Sequence, residues 1–261
     1  MDSIAGNQAA RSEARGENQA ARSEARASNQ AGRVENRQQL QDNRTQRADE
    51  LRNQFQENHP RYDFWTDHPT WASMRISRPY RWATWGAVAG WVGYGGGAST
   101  AAVSYDYGET TYYEGDTVYQ NGEPVASAEE YTQQAEAIAA SAPAVEPADL
   151  DWLSLGVFAL SPDGQASGPT PSLFLQLAIS KEGVIRGTLN NAATGKTQDV
   201  VGMIDKASQR CAWTVVDQTR PIMETGISNL TKDTVPSLIH FADGQTQQWL
   251  MVRLEEPPAQ P

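Results

Sequence analysis

A single cysteine, Cys211, stands among 261 residues, so no disulfide can close within the chain. Three histidines, His59, His68 and His240, are too few and too scattered for a metal centre. No apolar run reaches the roughly 20 residues that a membrane-spanning helix needs. The longest, about 82–94, is interrupted by glycines. Phosphate-binding loops, a Gly-x-Ser-x-Gly elbow and Cys/His metal spacings are also missing. Carboxylates are plentiful, but they fall mostly at turns, where Asp is expected for its backbone chemistry, and no glycosidase pair stands out. Met1-Asp2-Ser3-Ile4 shows neither a basic nor an apolar stretch of the kind that opens a signal peptide. These absences point away from an integral membrane protein, a disulfide scaffold and a metalloenzyme, and no cofactor is expected.

Charge is unevenly placed. Residues 1–61 hold ten arginines and nine acids, whereas residues 86–150 hold ten acids and no lysine or arginine. With a net charge of −11 the whole chain is not expected to bind nucleic acid specifically. Only the N-terminal arm spaces its positive charge suitably for a polyanion. There, Asn7-Gln8-Ala9-Ala10-Arg11-Ser12-Glu13-Ala14-Arg15 returns eleven residues later at Asn18 and again, more faintly, from Asn29. Arg11, Arg15, Arg22, Arg26, Arg33 and Arg37 would form one stripe on a helix. An 11-residue period suits a straight or slightly right-handed helix. Alanine alone cannot supply a core, so residues 1–58 read as a helical or disordered arm. Spacer, polyanion contact and self-association remain open for it.

His59-Pro60 and His68-Pro69 break the helical pattern. Residues 59–104 form an aromatic, Arg- and Gly-rich segment in which Trp82 and Trp85 sit at i,i+3 spacing beside Arg78 and Arg81. The expected role of this pair is to dock the segment on the chain's own C-terminal domain, with Trp91 on the opposite helix face and free for a partner. Residues 105–148 read as a small β-hairpin module and a helix. Asn121-Gly122 is a hairpin turn, and Ser127-Ala128-Glu129-Glu130 is a capping box.

The remainder, 149–256 with a 257–261 tail, carries the alternation. Leu173, Leu175, Leu177 and Ile179 occupy alternate positions, the period of a strand with one buried face. Eight such segments lie near 152–160, 172–180, 184–190, 197–204, 210–216, 221–227, 236–241 and 246–253. The expected fold class is therefore mainly β, with an up-and-down antiparallel β-barrel or curled sheet of about eight strands at the C-terminal end.

Tyr105-Asp106-Tyr107-Gly108, Val118-Tyr119-Gln120-Asn121-Gly122-Glu123-Pro124-Val125-Ala126, Leu175-Gln176-Leu177-Ala178 and Leu250-Met251-Val252-Arg253-Leu254 resemble a planctomycete family of paralogous proteins labelled mu-protocadherin or cell-surface protein. That resemblance spans about 79–256 and implies an extracytoplasmic, cell-surface setting without naming an activity. The succession Gly183-Val184-Ile185-Arg186-Gly187-Thr188, Val201-Gly202-Met203-Ile204-Asp205, Ala212-Trp213-Thr214-Val215 and Gln248-Trp249-Leu250 is similar to avidin-like barrels. Leu189 and Asp217 stand where aromatic biotin contacts would be, so biotin binding is not implied.

Two functional classes follow. One is a non-enzymatic structural or interaction protein of the cell envelope or cell surface, with a protein or an envelope polysaccharide as partner. The alternative is binding of a small apolar ligand or glycan by the barrel, its lumen lined by Leu189, Trp213 and Trp249.

Overall fold

The computed structural model describes residues 35–57, 74–77, 82–94 and 101–255. Arg11, Arg15, Arg22, Arg26 and Arg33 of the expected polyanion stripe lie outside those residues. The chain divides into two units, Met1–Asp42 and Asn43–Pro261. Within the first, the described residues 35–42 are helical, and Arg37 is exposed.

In chain order the elements are helix α1 (35–57), strand β1 (Arg75–Ser77), helix α2 (Trp85–Trp91), strands β2 (Thr111–Glu114), β3 (Thr117–Gln120) and β4 (Glu123–Ser127), and helix α3 (Ala128–Ala140). Eight strands follow: β5 (Asp151–Pro162), β6 (Leu173–Ser180), β7 (Val184–Asn191), β8 (Lys196–Ile204), β9 (Arg210–Val215), β10 (Ile222–Gly226), β11 (Thr234–His240) and β12 (Thr246–Arg253). Each of the eight pairs antiparallel with its neighbour, and β5 bonds to both β6 and β12. The sheet is therefore a closed eight-stranded up-and-down barrel, not an open curled sheet. Closure leaves no strand edge in the ring unpaired. A bulge between Ser154 and Gly156, with Gly156 at φ 131, bends β5. The start of β5 pairs in parallel with β1, and its end pairs with β12.

Alternation decides what lies on each side of the wall. Leu175, Leu177, Ile179, Ile185, Trp213, Met223 and Met251 all belong to the interior cluster. Gly202 stands directly opposite Trp213, and a Cβ there would come within 2.0 Å of the Ala212 carbonyl oxygen. The strands can approach this closely only because that side chain is absent. One end of the barrel is plugged by α2, whose Val88 and following Val92 join the interior cluster along with Ala83. Ala83 N–H donates to Ser154 O (3.1 Å), and Lys206 Nζ donates to Val92 O (2.8 Å).

The outer face is covered in patches. From α1, Ala48 and Leu51 cover Leu250 and Val252, and Phe55 covers Val157, Ala159 and Phe174. Burying Leu51 and Phe55 contributes roughly 1.5–3 kcal/mol each. Residues 43–57 thus pack on the barrel, where composition suggested an arm without anchors. Two buried arginines extend this short apolar stripe toward the start of the segment. Arg44 binds both carboxylate oxygens of Asp163 and donates to Tyr107 O. Arg47 donates to Ser161 Oγ, Gly168 O and Pro169 O. Guanidinium groups suit this role because their planar fork can satisfy several carbonyls at once.

Candidate functional site

Three outward positions on consecutive strands bring an ion pair and an imidazole under the covering layer. Arg210 on β9 and Glu224 on β10 are diagonal neighbours, as are Glu224 and His240 on β11. Helix α3 and the segment around Tyr105–Tyr107 close over them. The helix begins at a capping box, Ser127 Oγ accepting from Glu130 N–H while Glu130 accepts from Ser127 N–H. Its small face, Ala135 and Ala139, rests on Ala212 and Ile222.

Segment 101–107 is held without regular strand pairing. Asn229 Nδ2 donates to Tyr105 O at 2.7 Å, Ser228 Oγ donates to Val103 O, and Gln209 bonds to Ala101 and Val103. Side-chain amides and a hydroxyl thus take the place of ladder hydrogen bonds.

The enclosed network is dense with contacts. Arg210 Nη2 donates to Glu224 Oε2 at 2.5 Å and to Tyr131 O at 3.1 Å, and its guanidinium lies 3.7 Å from the Tyr131 ring centroid. Tyr107 OH donates to Glu224 Oε1 at 3.3 Å, and His240 Nε2 stands 3.4 Å from the same oxygen. His240 Nδ1 meets the hydroxyls of Thr132 and Thr246. Glu224, Tyr107 and His240 are completely buried. Burial pushes the Glu224 carboxyl upward, but the Arg210 charge and the contact with His240 outweigh it and hold the group below its ordinary value. Burial likewise works to lower Arg210, and Glu224 more than reverses it. Tyr107 and Tyr131 are raised, first by burial and then by Glu224. The arrangement is an internally neutralised ion pair wrapped in aromatic rings.

Beside this network lies a cleft of about 360 Å³. Its floor is Tyr105, Tyr131 and Arg210; its α3 wall is Gln134, Ala137 and Ile138. Gln120 and Val125 from the small sheet, with Asp205 and Ser208 from the β8–β9 turn, complete the rim. The turn is rigid: Ser208 Oγ donates to Asp205 Oδ2 at 2.6 Å, and Tyr105 OH donates to Ser208 O at 2.7 Å. Burial works to raise Asp205, but the hydrogen bonds from Ser208 and Ala207 keep it below its usual value.

The residues singled out from sequence lie elsewhere. Leu189, Trp213 and Trp249 all belong to, or pack against, the interior cluster. Trp213 is fully buried near the middle, and its Nε1–H has no partner. Leu189 and Trp249 are partly buried toward the end away from α2, and Trp249 Nε1 donates to Gln247 at 3.3 Å. Trp82 donates to Leu254 O at 2.8 Å and packs among Phe55, Val157 and Phe174, while Trp85 packs against the interior cluster beside Tyr94. Trp91, expected to face away, instead donates to Ile179 O at 3.1 Å with Lys181 over its ring. Trp82 precedes the helix, which starts at Trp85, so helical angles counted from Trp82 do not describe where Trp91 lies. The cleft was missed because its residues come from four separated segments. The signal that could have revealed its floor was Arg210 and Glu224 at outward, otherwise apolar positions of adjoining strands.

Among the described residues, no group of three or more His, Cys, Asp or Glu is placed to hold a metal ion, and no helix is long and apolar enough to cross a membrane. Cys211 is buried, its thiol pushed up by desolvation. No match to the chain exists among protein-family models, curated proteins or solved structures.

Proposed function

We propose that this protein is a non-catalytic binding module that holds a small neutral ligand, a glycan unit, in the cleft between α3 and the β8–β9 turn. One observation carries the reading. A cleft of about 360 Å³ with a mixed aromatic and polar lining sits on a buried, charge-balanced network that fixes its floor. Pre-set walls lower the ordering cost of binding, and the volume lies at the small end of the range typical of ligand sites, about 300–1,000 Å³. The cell-surface setting rests on the sequence resemblance, and an envelope polysaccharide would supply such a ligand there.

A second reading is an apolar ligand at the barrel end away from α2. Leu173, Leu189, Phe241 and Trp249 are only partly buried and pack on the interior cluster. Both readings are tested by titrating mono- and disaccharides and a short-chain fatty acid while following backbone amide resonances. Shifts at 120, 134, 138 and 205–210 with a sugar are expected. Shifts confined to Leu173, Leu189 and Trp249 with the fatty acid would replace the first reading with the second.

A further inference from the structure

Taking the cleft as the ligand site, we infer that it recognises an N-acetylated sugar, and that the Gln134 side chain holds the place of the ligand's acetamido carbonyl. Arg210 divides its donors unequally. Its Nη2 is used by Glu224 and Tyr131. Its Nη1 donates to Gln134 Oε1 at 2.6 Å, and its Nε–H has no partner. Arg210 is only 4% exposed, so each unmet N–H is a buried donor with a real desolvation cost. Gln134, by contrast, is an exposed residue on α3. An exposed side chain therefore satisfies one donor of a buried guanidinium, and both residues line the cleft. The group it presents is a neutral amide carbonyl.

Charge excludes the obvious competitor. An arginine at the floor of a cleft suggests a carboxylate or phosphate, but this one is already neutralised by the fully buried Glu224. A second anion would meet Glu224 and Asp205 with no further cation lining the cleft. In a low-dielectric site that repulsion is severe. A neutral acceptor gains the hydrogen bond without it.

The remaining lining describes the rest of the ligand. Val125 is 46% exposed, the one large hydrophobic residue so exposed among the described residues, and with Ala137 and Ile138 it forms an apolar wall beside Gln134. A methyl next to the carbonyl fits that wall. Gln120, on the same small sheet as Val125, and the Asp205–Ser208 turn add polar groups; the Asp205 carboxylate, already bonded to Ser208, keeps lone pairs to which hydroxyl groups can donate. Carbonyl, methyl and hydroxyls together fit an acetamido sugar.

The test uses the full chain and four probes: N-acetylglucosamine, glucosamine, glucose and an N-acetylated amino-acid amide. N-acetylglucosamine is expected to shift the Arg210 Nε–H and Gln134 side-chain resonances, with glucose and glucosamine at least tenfold weaker. The exposed Gln134→Ala variant, which removes the competitor, is expected to bind N-acetylglucosamine roughly threefold to tenfold tighter. Ile138→Trp, which fills the cleft, is expected to abolish binding. Equal affinity for glucose or weaker binding by Gln134→Ala would overturn the acetamido assignment, and preference for the amino-acid amide, which carries the same acetamido group, would overturn the sugar; each leaves the cleft as a site. Resonances around the cleft unmoved by every probe, in wild type and Ile138→Trp alike, would overturn both.

Discussion

The two faces of the wall formed by β9, β10 and β11 are built on opposite principles. Inward, Cys211, Trp213, Val215, Met223 and Ile239 interlock with the rest of the lumen. Outward, from the same strands, Arg210, Glu224 and His240 form a buried charged network beneath α3. The inner face gains stability from dry packing and has little polar chemistry to offer. The outer face carries a desolvation cost offset by pairing, and in return its side chains are held in one geometry. The comparison teaches that in this barrel the lumen serves as scaffold, and the candidate site belongs to the layer added outside it.

Emptying the inner face tests the scaffold half of that contrast most severely. Trp213→Ala removes the largest fully buried side chain of the middle strands and should cost about 3–5 kcal/mol, read from the urea midpoint. A loss under 1 kcal/mol would mean that the lumen is loosely filled there and itself available to a ligand.

The outer face breaks differently. Glu224→Gln leaves the Arg210 guanidinium buried without its counter-charge and should cost about 3–5 kcal/mol, whereas replacing both partners by apolar residues should recover most of it. The same pair predicts a pH dependence. The folded-state value of Glu224 is below its ordinary 4.5, so its stabilisation is complete above pH 4.5 and is lost as pH falls below that point. The phenols of Tyr107, Tyr113 and Tyr131 are raised above 10.0, so their contribution is present below pH 10 and is lost as pH rises beyond it. Urea midpoints measured across pH should show both limbs, and the acid limb should flatten in Glu224→Gln. An unchanged acid limb would show that this pair contributes no net stability.

These effects bear on how much was legible beforehand. The eight strands were visible because each keeps a two-residue alternation, and the Ser127 capping box because its four residues are contiguous. Segment 43–57 looked unanchored because its apolar stripe is only Ala48, Leu51 and Phe55, and the rest of its hold comes from Arg44 and Arg47, which read as surface residues. The cleft, drawn from Tyr105, Gln120, Gln134, Ser208 and Arg210, has no local pattern at all.

The smallest expected effect concerns an outward residue that lacks a partner. Gln176 on β6 is buried, and neither its amide oxygen nor its nitrogen is bonded; Thr188 Oγ1 opposite it is also unpaired. Gln176→Leu should be neutral or raise stability by up to about 1–2 kcal/mol, seen as a small rise in Tm. A clear loss would mean that this amide is satisfied by bound water.

By itself the sequence determined most of the secondary structure of the C-terminal half, the alternation of faces along its strands, and the absence of a disulfide within the chain. Those properties follow from local periodicity and composition. Tertiary structure alone decided that the sheet closes between β5 and β12, that α2 plugs the barrel, and that Arg210 meets Glu224 beside a cleft. Each of these depends on contacts between residues far apart in the chain. A single residue's polarity cannot announce whether folding will supply its partner or leave it exposed.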